Sequence, residues 1–127
     1  MDRVVRWITT DAYWAQGRTP EVVERSFAHS SPVGLYAPDG SQAAVARTVS
    51  DHATFVWLCD VYVDPAHRGR GLGTLIANWA IEWADRQGIK RVVLATLDAH
   101  GVYAKAGFRP FAHPERWMEI DTRPPFG

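Results

Sequence analysis

The apolar residues change their spacing several times along the chain, and each change marks an element. From Leu72 to Arg86 they recur as Leu72, Leu75, Ile76, Trp79, Ala80, Trp83 and Ala84. That i, i+3, i+4, i+7 spacing predicts a helix with one buried face. Asn78, Glu82, Asp85 and Arg86 fall mostly on the other face, and Gly88 sits where a left-handed cap is favoured. Before this helix, Ala53 to Val63 is a strand, and after it Arg91 to Leu97 is another. Both are apolar on two faces, the pattern of buried strands. Strand, helix, strand at this length implies a right-handed crossover between parallel strands.

Upstream, Arg3 to Ile8 alternates and predicts a first strand. Thr9-Thr10-Asp11 carries helix N-cap chemistry, and Tyr13 and Trp14 open a short piece broken at Gly17. Thr19-Pro20-Glu21 starts a helix with proline at its first position, ending near His29. Pro32 to Ala37 and Gln42 to Ser50 are strands joined by the Pro38-Asp39-Gly40-Ser41 turn. Near the end, Thr96 or Asp98 caps a short helix from Ala99 to Ala106. Phe108 to Phe111 and Glu115 to Asp121 then form a closing hairpin, followed by a tail from Arg123 to Gly127. The order β-α-α-β-β-β-α-β-α-β-β is a mixed α/β domain, antiparallel in one half with a parallel step in the other.

Composition narrows the picture only modestly. At 127 residues the chain predicts one domain over residues 1–127. Its 14 basic and 14 acidic residues cancel, so global charge gives no reason to expect nucleic acid. No secretory or membrane-spanning run is visible, which predicts a cytoplasmic protein without a membrane partner. The single cysteine, Cys59, excludes an internal disulfide and a structural cysteine–zinc site. The histidines show no metal-ligand spacing, so no metal is expected. The arginine bias among the basic residues carries no interpretation at this level.

The candidate chemistry lies between the long strand and the main helix. Gly69, Gly71 and Gly73 allow a tight turn and close approach of a ligand to the backbone. The first N–H groups of the helix have no intrahelical partner, and with the helix dipole they form a site for phosphate. Arg68 and Arg70 add forked donors. A basic, glycine-rich turn without a ligand is the plain alternative. The loop lacks the Gly-Lys-Ser/Thr ending of a triphosphate loop, and its glycines are not spaced as Gly-x-Gly-x-x-Gly.

The run Arg68-Gly69-Arg70-Gly71-Leu72-Gly73 resembles Arg/Gln-x-x-Gly-x-Gly/Ala, the pyrophosphate loop of the GNAT acetyltransferase superfamily. The similarity extends upstream through Val61-Tyr62-Val63-Asp64-Pro65. Downstream it reaches Val102-Tyr103-Ala104-Lys105-Ala106-Gly107-Phe108, which resembles that family's Leu-Tyr-x-Lys-x-Gly-Phe. Together the motifs cover roughly residues 54 to 110, and the first 50 residues match weakly.

The resemblance implies a GNAT fold in a short version, with the two central strands splayed. It implies acetyl-CoA as acyl donor, bound by Arg68, Gly69, Arg70, Gly71, Leu72, Gly73 and Thr74. The backbone of Val61, Tyr62 and Val63 would align the pantetheine. It also places a general-acid tyrosine at Tyr103; packing of the helix on the sheet is the alternative. An asparagine common in relatives is replaced here by Thr96, which can still hydrogen-bond to the coenzyme.

The activity implied is acetyl transfer to a primary amine, small or peptidic, by direct attack in a ternary complex. A non-catalytic module that senses acyl-CoA, and a nucleotide-binding interaction domain, are the other readings. Asp60, on a buried strand where a lone carboxylate is costly, is a candidate to bind the amine or take its proton. A carboxylate hydrogen-bonded to neighbouring backbone at a bulge is the alternative. Strict alternation places Asp60 opposite to Cys59 and Val61. His100 could shuttle a proton or simply face solvent. Cys59 reads as a small core residue rather than an acylated nucleophile. Tyr13 and Trp14 either line an acceptor pocket or pack ordinarily. Pairing of two subunits stays open.

Overall fold

The computed structural model describes residues 1–15 and 17–123, with the side chain of Tyr13 left out. Four strands form one mixed sheet in the order β1 (Ser31–Tyr36), β2 (Gln42–Ser50), β3 (Val56–Val63) and β4 (Val92–Val93). The first three are antiparallel neighbours, and β4 joins β3 in parallel. The crossover between β3 and β4 is the predicted helix, α3 (Leu72–Arg86). Around the sheet lie α1 (Asp2–Arg6), α2 (Pro20–Ala28) and α4 (His100–Ala104).

The two faces of the sheet have separate cores. On one face Val45 and Tyr62 pack with Val4, Trp7, Ile8, Ala12, Val23 and Phe27 of the N-terminal helical segments. On the other, Ala44, Ala46 and Leu58 meet Ile76, Ala77 and Ala80 of α3 and Tyr103 of α4. In α2 the start is the expected one: Thr19 accepts the Val22 N–H at 3.2 Å and Pro20 occupies the first turn. Gly88, beyond α3, has φ +73°. Among the described residues no helix is long and apolar enough to cross a membrane.

Four expectations change. Residues 3–8 are helical, not a strand. Val4, Ile8, Ala12 and Ala15 all lie buried on one side, a spacing of about four that β-branched residues disguised as alternation. The helix relaxes into a π turn over Trp7–Asp11, closed by Ala12 N–H to Trp7 O at 2.9 Å. Thr9 Oγ1 donates back to Val5 O at 2.7 Å, a local bond that bends helices.

The face of α3 is turned by about one residue. Ala77 is buried, whereas Leu75 is 52% exposed and Trp79 and Trp83 are only partly covered. Small residues at Ala77, Ala80 and Ala84 bring the helix close to the sheet. The strand predicted over 91–97 pairs only at Val92 and Val93. The closing hairpin does not form: residues 109–123 contain one short 3-10 turn and no strand. Pro110 and Pro114 each remove a ladder donor there, and Met118 and Ile120 find no face to bury. Residues 124–127 of the predicted tail lie outside the described residues.

Candidate active site

The glycine loop is built as its chemistry requires. Gly69 and Gly71 take φ +81° and +77°, and Gly71 is the N-cap of α3. A side chain is strained in that region. The first intrahelical bond of this turn is Leu75 N–H to Gly71 O at 3.0 Å. The N–H groups of Leu72, Gly73 and Thr74 therefore precede the helix ladder and carry its positive dipole end. Gly73 serves packing: a Cβ there would come 3.0 Å from Val102 Cγ1. Thr74 Oγ1 donates to Val102 O at 3.3 Å, tying the start of α3 to α4.

The two arginines of the loop differ. Both are exposed, but Arg68 Nε donates to Val63 O at 3.0 Å and its guanidinium lies 5.4 Å from the Tyr62 ring. At the loop's start Asp64 pairs with Arg3 at 2.9 Å and has His67 at 3.9 Å.

Beside the loop, β3 has an open edge. It pairs with β4 only at Val56↔Val92 and Trp57↔Val93. From Leu58 onward, among the described residues, no strand covers that edge. The Asp64 N–H turns to Ala43 O of the β2 side at 2.8 Å. By the alternation of backbone groups, those of Val63 point to the open edge, where its carbonyl accepts from Arg68.

Between these features β3 is bulged. Cys59 opposes Arg47 and Tyr62 opposes Val45, so three steps along β3 match two along β2. The extra residue lies at Asp60, whose φ is +53°. The bulge breaks the alternation expected at this point: Cys59 is in register with Arg47, and the Asp60 carboxylate bonds that same arginine. Asp60 Oδ1 accepts from Trp14 Nε1 at 3.0 Å and from Arg18 Nη1 at 2.9 Å. Oδ2 accepts from Arg18 Nη1 at 2.9 Å and Arg47 Nε at 2.7 Å.

Burial alone would raise the Asp60 pKa, but the Arg47 hydrogen bond and the charges of Arg18 and Arg47 outweigh it and hold it below the usual carboxylate value. A carboxylate so supplied with donors is a poor proton acceptor and a strong anchor. The same neighbourhood is no help to the thiol. Burial pushes Cys59 up to about 11, so it stays protonated near neutrality.

A groove of about 900 Å³ lies along β4 and α4, and Thr96, His100 and Tyr103 all line it. Tyr103 is 9% exposed, with its ring 6.0 Å from Phe108 in an edge-on arrangement. Thr96 Oγ1 accepts the Ala99 N–H at 3.1 Å, so it caps the approach to α4. Trp14 packs beside Tyr62, ring centres 6.4 Å apart. The side chain of Tyr13 lies outside the described residues. Sequence reasoning passed over Arg18 and Arg47. Arg47 carried a signal, a charge alternating with Val45 and Val49 on one strand face. Arg18, immediately before the α2 cap Thr19, carried none.

Residues 1–108 match the model of the acetyltransferase (GNAT) family. A crystal structure from Xanthomonas campestris pv. campestris, described as belonging to that family, superposes with a TM-score of 0.86 at 40% identity, covering 95% of this chain and 84% of the other. This chain belongs to the GNAT acetyltransferase family. Two more distant similarities agree. An uncharacterized N-acetyltransferase of Methanocaldococcus jannaschii is 34% identical over 68 residues, a stretch spanning 50% of this GNAT chain and 30% of that protein's length. A Clostridium acetobutylicum protein crystallised with acetyl-CoA shares the GNAT fold, with a TM-score of 0.59 at 18% identity over 80% of this chain and 71% of the other. The expected mixed α/β GNAT architecture is thus present, with its first strand replaced by helix and its last two absent.

Proposed function

We propose that the chain is an acetyl-CoA-dependent N-acetyltransferase acting by direct attack of a primary amine on the bound thioester. The observation that carries this reading is the helix start at Gly71–Thr74, with its free N–H groups, set beside the open edge of β3. The first binds pyrophosphate and the second offers backbone partners to an extended amide chain. Arg70 adds charge from the loop. Arg68 fixes the loop to Val63 and keeps its terminal nitrogens for the ligand.

In the reaction the amine lone pair attacks the thioester carbonyl carbon, and negative charge moves to the carbonyl oxygen. The Val61 N–H, at the bulge, supplies the donor for that oxyanion. The C–S bond then breaks, the thiolate leaves, and the Tyr103 hydroxyl gives it a proton. The proton shed by the amine goes to solvent, because Asp60 is held as an anion by its arginines. Cys59, protonated near neutrality, takes no acyl group.

The test is calorimetric titration with acetyl-CoA, followed by thiol release in the presence of an amine panel. Micromolar binding by the wild type, lost in an Arg68→Ala, Gly71→Glu double variant that still unfolds cooperatively, is the expected result. A folded wild type that fails to bind acetyl-CoA overturns the reading.

A further inference from the structure

The Asp60 cluster is unbalanced in charge. One carboxylate faces two guanidinium groups, and among the described residues no other carboxylate lies within ion-pair distance of Arg18 or Arg47. The bonds to Asp60 use Nη1 of Arg18 and Nε of Arg47. Among the described residues, Nε and Nη2 of the first and both Nη of the second remain for another acceptor. No buried side-chain nitrogen or oxygen among the described residues lacks a partner, so these donors reach solvent. They do so from a sheltered place, the side chains being 21% and 11% exposed. The Arg47 guanidinium is steadied 5.8 Å from the Phe27 ring.

The location matters as much as the charge. On this face of the sheet the rows are Val45/Tyr62, Arg47/Cys59 and Val49/Trp57. The N-terminal helices bury the first row, while every residue of the second and third rows is at least partly exposed. Trp57 in the third row is 44% exposed. The arginine pair therefore stands at the inner end of an uncovered shelf, next to the bulge and Val61.

We propose that the acceptor amine carries a carboxylate, bound on this shelf by the remaining N–H groups of Arg18 and Arg47. This rests on the acetyltransferase reading and narrows its substrate class. The site's net charge of +1 matches a monoanion, whereas a phosphate dianion would leave an uncompensated negative charge beside buried Asp60. Planar guanidinium forks match a carboxylate with two parallel bonds. The same positive charge disfavours an ammonium group nearby and so favours the neutral amine that attack requires.

Two readouts test this. The indole N–H of Trp14, bonded to Asp60, reports on the cluster in ¹⁵N-labelled protein without any coenzyme. Propionate should shift its resonance saturably, propionamide at equal ionic strength should not, and Arg18→Lys or Arg47→Lys should weaken the response. In turnover, amino acids should exceed their own amides in kcat/KM by about tenfold or more, and the preference should fall to about twofold in the lysine variants. Unchanged acetyl-CoA affinity in those variants marks them as folded. Equal shifts with propionate and propionamide, or amides acetylated as well as acids, overturn the proposal. An aminoalkyl phosphate that outcompetes the matching carboxylate also overturns it. Loss of acetyl-CoA binding in the wild type sinks the acetyltransferase reading instead, and the Trp14 titration still decides whether the arginine pair takes a carboxylate.

Discussion

The glycine loop and the Asp60 bulge sit at opposite ends of the Val61–Val63 stretch and solve opposite problems. The loop leaves its donors unused: glycines clear the space and the helix start offers bare N–H groups. The bulge spends most of its polar capacity internally, with one carboxylate taking bonds from Trp14, Arg18 and Arg47. A place that keeps donors free is a place for a ligand. A place that consumes them is a joint, and only its surplus, the outer N–H groups of two arginines, is left for the proposed carboxylate. Binding capacity here is what remains after the fold's own hydrogen bonds are counted.

The comparison breaks most visibly at the joint. Asp60→Ala leaves Arg18 and Arg47 facing each other without their anion, and should cost about 3–5 kcal/mol of stability, read by urea unfolding. The same group sets a pH dependence. Its pKa is lower folded than unfolded, so its stabilisation is complete above the unfolded value of about 3.9 and is lost as pH falls below it toward the folded value. Wild-type stability should therefore drop in that acid range, and the drop should be smaller in Asp60→Asn.

Next comes Tyr103→Phe, which removes the proposed proton donor but not the ring. It should lower kcat by about a hundredfold with acetyl-CoA affinity unchanged, measured by thiol release and calorimetry. A parallel loss of affinity would make the residue structural.

Gly71→Val forces a β-branched residue to φ +77°. It should weaken acetyl-CoA binding by about tenfold or more while costing about 1–2 kcal/mol of stability. The mildest change is Gly73→Ala. Its new methyl meets only the tip of Val102, so thermal unfolding should report a loss below about 1 kcal/mol.

What could be read from the sequence followed the range of the interactions. The loop is a contiguous run, so its glycines and arginines stood together and the geometry of the turn was legible. The strands from Ser31 to Val63 were legible for the same reason, as neighbouring hairpins. The Asp60 cluster joins residues 46, 42 and 13 positions away, and no local pattern announces such a meeting. Its bulge was only an alternative in the sequence, because a positive φ at an aspartate within an apolar run leaves the hydrophobic pattern intact. The N-terminal helix was misread because Val4, Val5, Trp7 and Ile8 favour strands by residue type, and only burial of Ala12 and Ala15 in the same core shows the helical period. The missing hairpin shows the converse: alternation near Trp117 to Ile120 predicts a strand only if a neighbouring edge accepts it.

The N-terminal segment is fastened to β3 and its following loop at two points, Arg3 to Asp64 and Arg18 with Trp14 to Asp60, across sequence separations of 61, 42 and 46. Closing chain loops of that length costs entropy before any bond repays it. The sheet hairpins and α3 can form from near neighbours first, which leaves the helical cover as the late-docking part. Side chains at Asp60 then act mainly after the rate-limiting step, and their loss should appear as faster unfolding rather than slower folding. The arginine shelf would thus be both the last region assembled and the first released.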